Sequence, residues 1–159
     1  MAVLDGNEVV SAMALSVAQA IQAGIIDPEN EIKMLLKDTA PQDAELPAAF
    51  FETKKVSHEN LSAGYANWTF EITVHCHPKQ GQQNIESWAR KLGTKLLDIL
   101  NEIEVQGYVT KARSLEFSLN FDVLELEAEY GFKVKKYDDS EEYLMETLYY
   151  NDRAKWQFY

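Results

Sequence analysis

The stretch Val123-Leu124-Glu125-Leu126-Glu127-Ala128-Glu129-Tyr130-Gly131-Phe132-Lys133-Val134 decides the fold. Leu124, Leu126, Ala128, Tyr130, Phe132 and Val134 alternate with Val123, Glu125, Glu127, Glu129, Gly131 and Lys133. A period of two is the signature of a half-buried strand, because successive side chains point to opposite faces. It predicts a strand over Val123–Tyr137 with one apolar face and one strongly acidic face. The apolar face needs sheet partners beside it and a covering layer above it.

Partners and cover are found by reading outward. Tyr108–Ala112 and Leu115–Phe121 favour strands immediately upstream. Before Gly107, Ile85, Trp88/Ala89, Leu92, Leu96, Ile99/Leu100 and Ile103 form one stripe at helical spacing, which predicts a long helix over Asn84–Glu104. Pro78-Lys79-Gln80-Gly81-Gln82 separates that helix from Tyr65–His77, where Trp68, Phe70, Ile72 and Val74 alternate with Thr69, Glu71, Thr73 and His75. A further strand is expected over Ala48–Val56, joined to it by a polar connector from Ser57 to Gly64. Upstream lies a loop, Asp38 to Pro47, and before that a short buried strand or helical turn at Ile32–Leu36. A turn at Asp27–Asn30 and an amphipathic helix over Asn7–Ala23, ended by Gly24, complete the N-terminal part. Ser140 with Glu141 and Glu142 suits the start of a short closing helix. The expected class is α+β: a mainly antiparallel sheet packed on one face by the N-terminal helix and the long central helix. A single domain is expected over 1–137, followed by a C-terminal helix and aromatic tail over 138–159.

The whole chain of 159 residues carries 26 acidic against 15 basic residues, a formal net charge of −11. That charge repels a phosphate backbone, so specific nucleic-acid binding is not expected. It suits either simple solubility or a passage past which DNA slides without sticking. No stretch approaches the roughly 18 apolar residues of a membrane helix, and the N-terminus lacks signal-peptide character. One cysteine, Cys76, excludes an intramolecular disulfide and fits synthesis in a reducing cytoplasm.

A search for chemistry finds little. His75 and His77 share a strand face while Cys76 points away, so at most two of the three meet one ion, and zinc asks for three or four ligands. For the same reason neither histidine is placed to activate Cys76, which reads as a small core residue. No phosphate-cradling glycine pattern, nucleophile elbow or metalloprotease helix is present. No catalytic residue, metal or cofactor is therefore expected. Two features stand out instead. Glu125, Glu127 and Glu129 put like charges in a row, a solvated face or one that meets a partner or lines a lumen. Trp156, Phe158 and Tyr159, with Tyr149 and Tyr150, crowd aromatic side chains into the C-terminal tail, where they either fold back or dock onto a neighbour. These aromatics, with His58 and Asn60 on the polar connector, are the candidate subunit or partner contacts.

The chain resembles the tail terminator, or tail completion, proteins of tailed phages and phage-tail-like particles. The features that carry this are the N-terminal amphipathic helix, Pro47-Ala48-Ala49-Phe50-Phe51 entering a strand, and Trp68-Thr69-Phe70-Glu71-Ile72-Thr73-Val74-His75 ending at Pro78. Asn84-Ile85-Glu86-Ser87-Trp88-Ala89 opening the long helix and the acidic closing strand complete the set. The resemblance covers roughly Val9 to Lys135 and is one of order and texture, with no catalytic motif in it. It implies a structural protein, not an enzyme, forming a homo-hexameric ring on the last ring of the tail tube. Such a ring stops tube polymerisation and joins the tube to a head-side neck or connector protein, with a sheath around the tail in some particles. It also implies a place in the virion or tail-like particle at the end nearest the head, after assembly in the host cytoplasm. The competing expectations are another neck or head-completion component, and a small metal-dependent cytoplasmic enzyme using His75, Cys76 and carboxylates.

Overall fold

The computed structural model describes residues 5–37 and 45–135. Within them the order is α1 (Gly6–Gln22), β1 (Met34–Leu36), β2 (Ala48–Asn60), a 3-10 turn at Ser62–Gly64, β3 (Tyr65–His77), α2 (Ile85–Ile99), β4 (Glu102–Val105), β5 (Tyr108–Asn120) and β6 (Val123–Lys135). The strands form one sheet of order β1-β2-β3-β6-β5-β4. Only the β1–β2 pairing is parallel; the rest is antiparallel. This is the expected α+β architecture.

Both helices lie on one face, for the reason their sequences give. In α1 the stripe Val9, Val10, Met13, Val17 and Ala20 is buried. The Asp5 carboxylate accepts the Glu8 N–H at 2.9 Å and caps the first turn. In α2 the buried residues are Trp88, Ala89, Leu92, Gly93 and Leu96. They meet the apolar face of the sheet, where Phe70, Ile72 and Val74 of β3 and Leu124, Leu126, Tyr130 and Phe132 of β6 are almost fully buried. At Gly93 the helix comes so close to β5 that an added Cβ would fall 2.7 Å from the Phe117 ring. The Tyr130 hydroxyl crosses the core and donates to the Leu100 carbonyl at 2.6 Å, just past the end of α2.

Three boundaries differ from the sequence reading. The central helix stops at Ile99; Ile103 and Glu104 belong to β4, which the continuing apolar spacing concealed. β2 runs on through Ser57, His58, Glu59 and Asn60, so the connector shrinks to residues 61–64. From Glu52 to Asn60 this strand is exposed on both faces, which removes the alternation by which a strand is read. β5 is one strand, bent by a register shift between Ala112 and Ser114, where two were expected. The expected closing helix and the tail beyond Tyr137 lie outside the described residues.

Candidate functional site

The helix-free face of the sheet gathers most of the polar candidates. Register places Glu71 of β3 opposite Glu129 of β6, Thr73 opposite Glu127, and His75 opposite Glu125. On the other side of β6, Glu127 faces Glu116 and Glu125 faces Ser118 of β5. The row Glu125, Glu127 and Glu129 thus becomes a two-dimensional acidic field that also includes Glu71 and Glu116. Directly opposed like charges cost stability in a sheet, and neighbouring hydrogen-bonding and basic side chains offset part of that here. His75 Nε2 lies 2.8 Å from Glu52 Oε1 and Nδ1 lies 3.6 Å from Glu125 Oε2. The hydrogen bond to His75, with Lys54 nearby, holds the Glu52 carboxyl below its usual range. Arg113, freed at the β5 irregularity, lies across β6 at Gly131, where it leaves no room for a side chain, and donates to Thr69 Oγ1 at 3.1 Å. A shallow recess of about 90 Å³ lies among Lys54, Thr73, Glu116, Glu127 and Glu129.

The histidines and the cysteine of β3 are each engaged separately. His75 and His77 share a face as expected, but His75 is occupied by Glu52, and His77 packs edge-on against Phe50 at 4.9 Å. Burial, with His75 beside it, favours the neutral form of His77. Cys76 lies on the other face, fully buried, with its thiol pushed up to about 12 by loss of solvent. Among the described residues, no cluster of three or more His, Cys, Asp and Glu is arranged to hold a metal ion. No described helix is long and apolar enough to cross a membrane.

His58 and Asn60 sit in the exposed outer half of β2. The His58 ring lies 4.5 Å from the Trp68 ring on the neighbouring strand. They stand beside a feature that the sequence did not reveal, a pair of uncovered sheet edges. β1 pairs only with Ala48–Phe50, so among the described residues no strand flanks β2 from Phe51 to Asn60. β4 pairs only with Tyr108–Lys111, so among the described residues no strand flanks the outer edge of β5 from Arg113 to Asn120. The row Thr53–Ile72–Ala128–Leu115 crosses the sheet through the inner ends of both openings. One opening therefore lies toward the β2–β3 tip, and the other toward the β5–β6 tip. Val56 beside the first is 45% exposed, and Leu115, Phe117 and Leu119 beside the second are only half-buried. Trp156, Phe158, Tyr159, Tyr149 and Tyr150 lie outside the described residues.

A second feature that was missed is Phe121. It is the first residue of the two-residue connection between β5 and β6, with φ +56° and 92% of its surface exposed. A left-handed backbone costs a residue bearing a Cβ about 1–2 kcal/mol, and Gly or Asn normally takes this position in a hairpin. The β4–β5 turn of the same chain likewise holds a residue bearing a Cβ, Gln106 at φ +54°, in its first position, followed by Gly107. At sequence level Phe121 reads as the last residue of a strand, because an aromatic gives no turn signal.

A sequence-family model described as phage tail terminator protein matches residues 16–142. No curated protein matches the chain. Solved structures do match; one that is 13% identical covers 86% of this chain and 100% of that chain, at a TM-score of 0.38. At that score the structural likeness carries no argument.

Proposed function

This chain belongs to the phage tail terminator family, and from that premise we propose that it forms a closed ring, a hexamer, on the last ring of the tail tube. There it stops further growth and offers its other rim to the head-side neck. The family makes it a structural component of a phage tail. The ring is the finer reading, and the single observation that carries it is the pair of diagonal open edges.

β2 is antiparallel to β3, β3 to β6 and β6 to β5, so β2 and β5 run in opposite directions. A rotation about a ring axis preserves strand direction along that axis. Laying the open half of β5 against the open half of β2 of the next copy then gives an antiparallel junction. β1 blocks one half of the β2 edge and β4 the opposite half of the β5 edge. The copies must therefore slide by three to five residues, about 10–17 Å at the rise of a strand. Closed sheets require such a stagger, and a head-to-tail contact of this kind closes into a ring. Val56 pairs with Phe70 and Leu115 with Ala128, so both belong to the helix-covered face. Matching faces at the junction buries Val56, Leu115 and Phe117 against one another and keeps the acidic faces continuous. The helices then lie outside, and the carboxylates face a lumen from which they repel DNA.

The test is solution mass by light scattering, with and without tail-tube protein, joined to disulfide trapping. Val56→Cys mixed with Phe117→Cys, which a slide of four residues brings opposite one another on the helix-covered face, is expected to give an intersubunit cross-link. Val56→Cys with Glu116→Cys, on opposite faces, is expected to give none. Buried Cys76 supplies a silent background. A protein that stays monomeric and ignores tubes would overturn the ring. A ring without the Val56–Phe117 cross-link would overturn the edge junction and leave the ring standing.

A further inference from the structure

We infer that Lys55 of one copy pairs with Glu116 of the next across the lumen face, and that this pair holds the ring in one register; the pair presupposes the edge junction proposed above. Two requirements single out the register. β1 and β4 force a slide of three to five residues, and only an even slide sets helix-covered residues opposite helix-covered ones. Four is the even value in that range. Val56 shares a row with Phe70, and Phe117 shares a row with Leu126 and Val74. A slide of four therefore sets Val56 against Phe117. On the other face it sets Ser57 against Glu116 and Lys55 against Ser118. Lys55 then stands on the diagonal from Glu116, about 7–8 Å away between backbones and within reach of long side chains.

Each protomer leaves both charges available for this contact. Glu116 is exposed and faces Glu127 of β6, an opposition that costs stability. Lys55 is exposed and lies opposite Glu71, yet forms no ion pair among the described residues. The adjacent Lys54 is engaged within the chain, 3.4 Å from Glu52. Glu59, opposite Ser114 in this register, occupies the other diagonal from Glu116. The two diagonals are unequal, because surface side chains extend toward an opposite charge and turn away from a like one. The next even slide, six residues, reverses the balance. It sets Glu59 directly against Glu116 and carries Lys55 out of reach. Strand ends thus exclude the shorter slide, and charge opposes the longer one.

Charge reversal tests the pair. Lys55→Glu and Glu116→Lys each place like charges across every junction, and the double variant Lys55→Glu/Glu116→Lys restores the attraction in the opposite sense. Glu116→Lys also meets Glu127 in its own chain, so it is expected to melt no lower than the parent. By light scattering, the protein concentration at which the ring dissociates is expected to rise about tenfold in each single variant. It is expected to return close to the parent's value in the double variant. Added salt is expected to loosen the parent and double-variant rings more than that of Lys55→Gln/Glu116→Gln. Single variants with rings as tight as the parent's would overturn the pair. So would a double variant no tighter than the singles, which would place both effects inside the protomer. In either case a parent ring that still gives the Val56–Phe117 cross-link would leave the edge junction intact. A parent that forms no ring, or a ring without that cross-link, would remove the junction and the pair with it.

Discussion

Gly93→Ala is expected to destabilise the protein by roughly 1–2 kcal/mol, although the same change on an open helix surface stabilises. The two effects have opposite signs, so their magnitudes decide. Alanine in a helix interior is favoured over glycine by about 0.5–1 kcal/mol, since glycine loses more backbone entropy on folding. Against this stands the Phe117 ring, three of whose carbons would lie 2.7–2.8 Å from the new Cβ. Carbon atoms pack at about 3.5–4.0 Å, so either the ring must turn or α2 must lift from β5. Neither is free. Gly93 is buried in the middle of α2, and Leu92 and Leu96 beside it are 0% exposed, so lifting the helix opens the core on both sides. Overpacking of this kind costs about 1–3 kcal/mol, which exceeds the propensity gain. Thermal and urea unfolding of Gly93→Ala, Phe117→Leu and the double variant measure the coupling directly. The double variant is expected to recover most of the loss. A single variant more stable than the parent would show that Phe117 yields without cost, and that the close approach of α2 to β5 is not a constraint.

That close approach also marks where the sequence stops being readable. The stripe of α2 and the alternation in β3 and β6 are legible because each element has one covered face and one open face, and periodicity reports that difference. The outer half of β2 has two open faces and is held by pairing with β3 alone. Its residues Ser57–Asn60 therefore read as a connector, and the open edge of this half is invisible until strand partners are known. Ile103 fails for the opposite reason: it continues the helical spacing of Ile99 and Leu100, yet it is buried from β4. Of the candidate contacts, the acidic row on β6 was legible because Glu125, Glu127 and Glu129 alternate with apolar residues. Its neighbours Glu71 and Glu116 are added by register, which no single strand reveals. Cys76 was legible as a core residue from parity alone. The turn at Phe121 was not, because an aromatic side chain does not announce a backbone at positive φ.

Tyr130→Ala is expected to cost about 3–5 kcal/mol, and Tyr130→Phe about 1–3 kcal/mol, for reasons that meet at the end of α2. Tyr130 is fully buried in the centre of the sheet, and its hydroxyl donates to the Leu100 carbonyl at 2.6 Å. Helix ends leave carbonyls without intrahelical donors. Leu100 follows the last residue of α2, and its own N–H is taken by the Leu96 carbonyl. The next carbonyl, of Asn101, accepts from the Ala112 N–H at 2.8 Å. The chain therefore leaves the helix by handing one carbonyl to a core tyrosine and the next to β5, and this is what turns it into β4 against the pull of its apolar stripe. Burial also pushes the Tyr130 phenol well above its usual range, so the group stays a donor at neutral pH. The phenylalanine variant keeps the volume and loses only the donor, leaving a buried acceptor unpaired; the alanine variant adds a cavity between β6 and α2. Against a typical domain stability of about 5–15 kcal/mol, the first loss is tolerable and the second is near the limit. Denaturant titration gives both values, and amide exchange at Glu102–Val105 reports where the loss falls. Protection in β4 is expected to drop in Tyr130→Phe before the rest of the sheet opens. A phenylalanine variant as stable as the parent, with β4 unchanged, would mean that the turn out of α2 is held by the Asn101–Ala112 bond without help from the core.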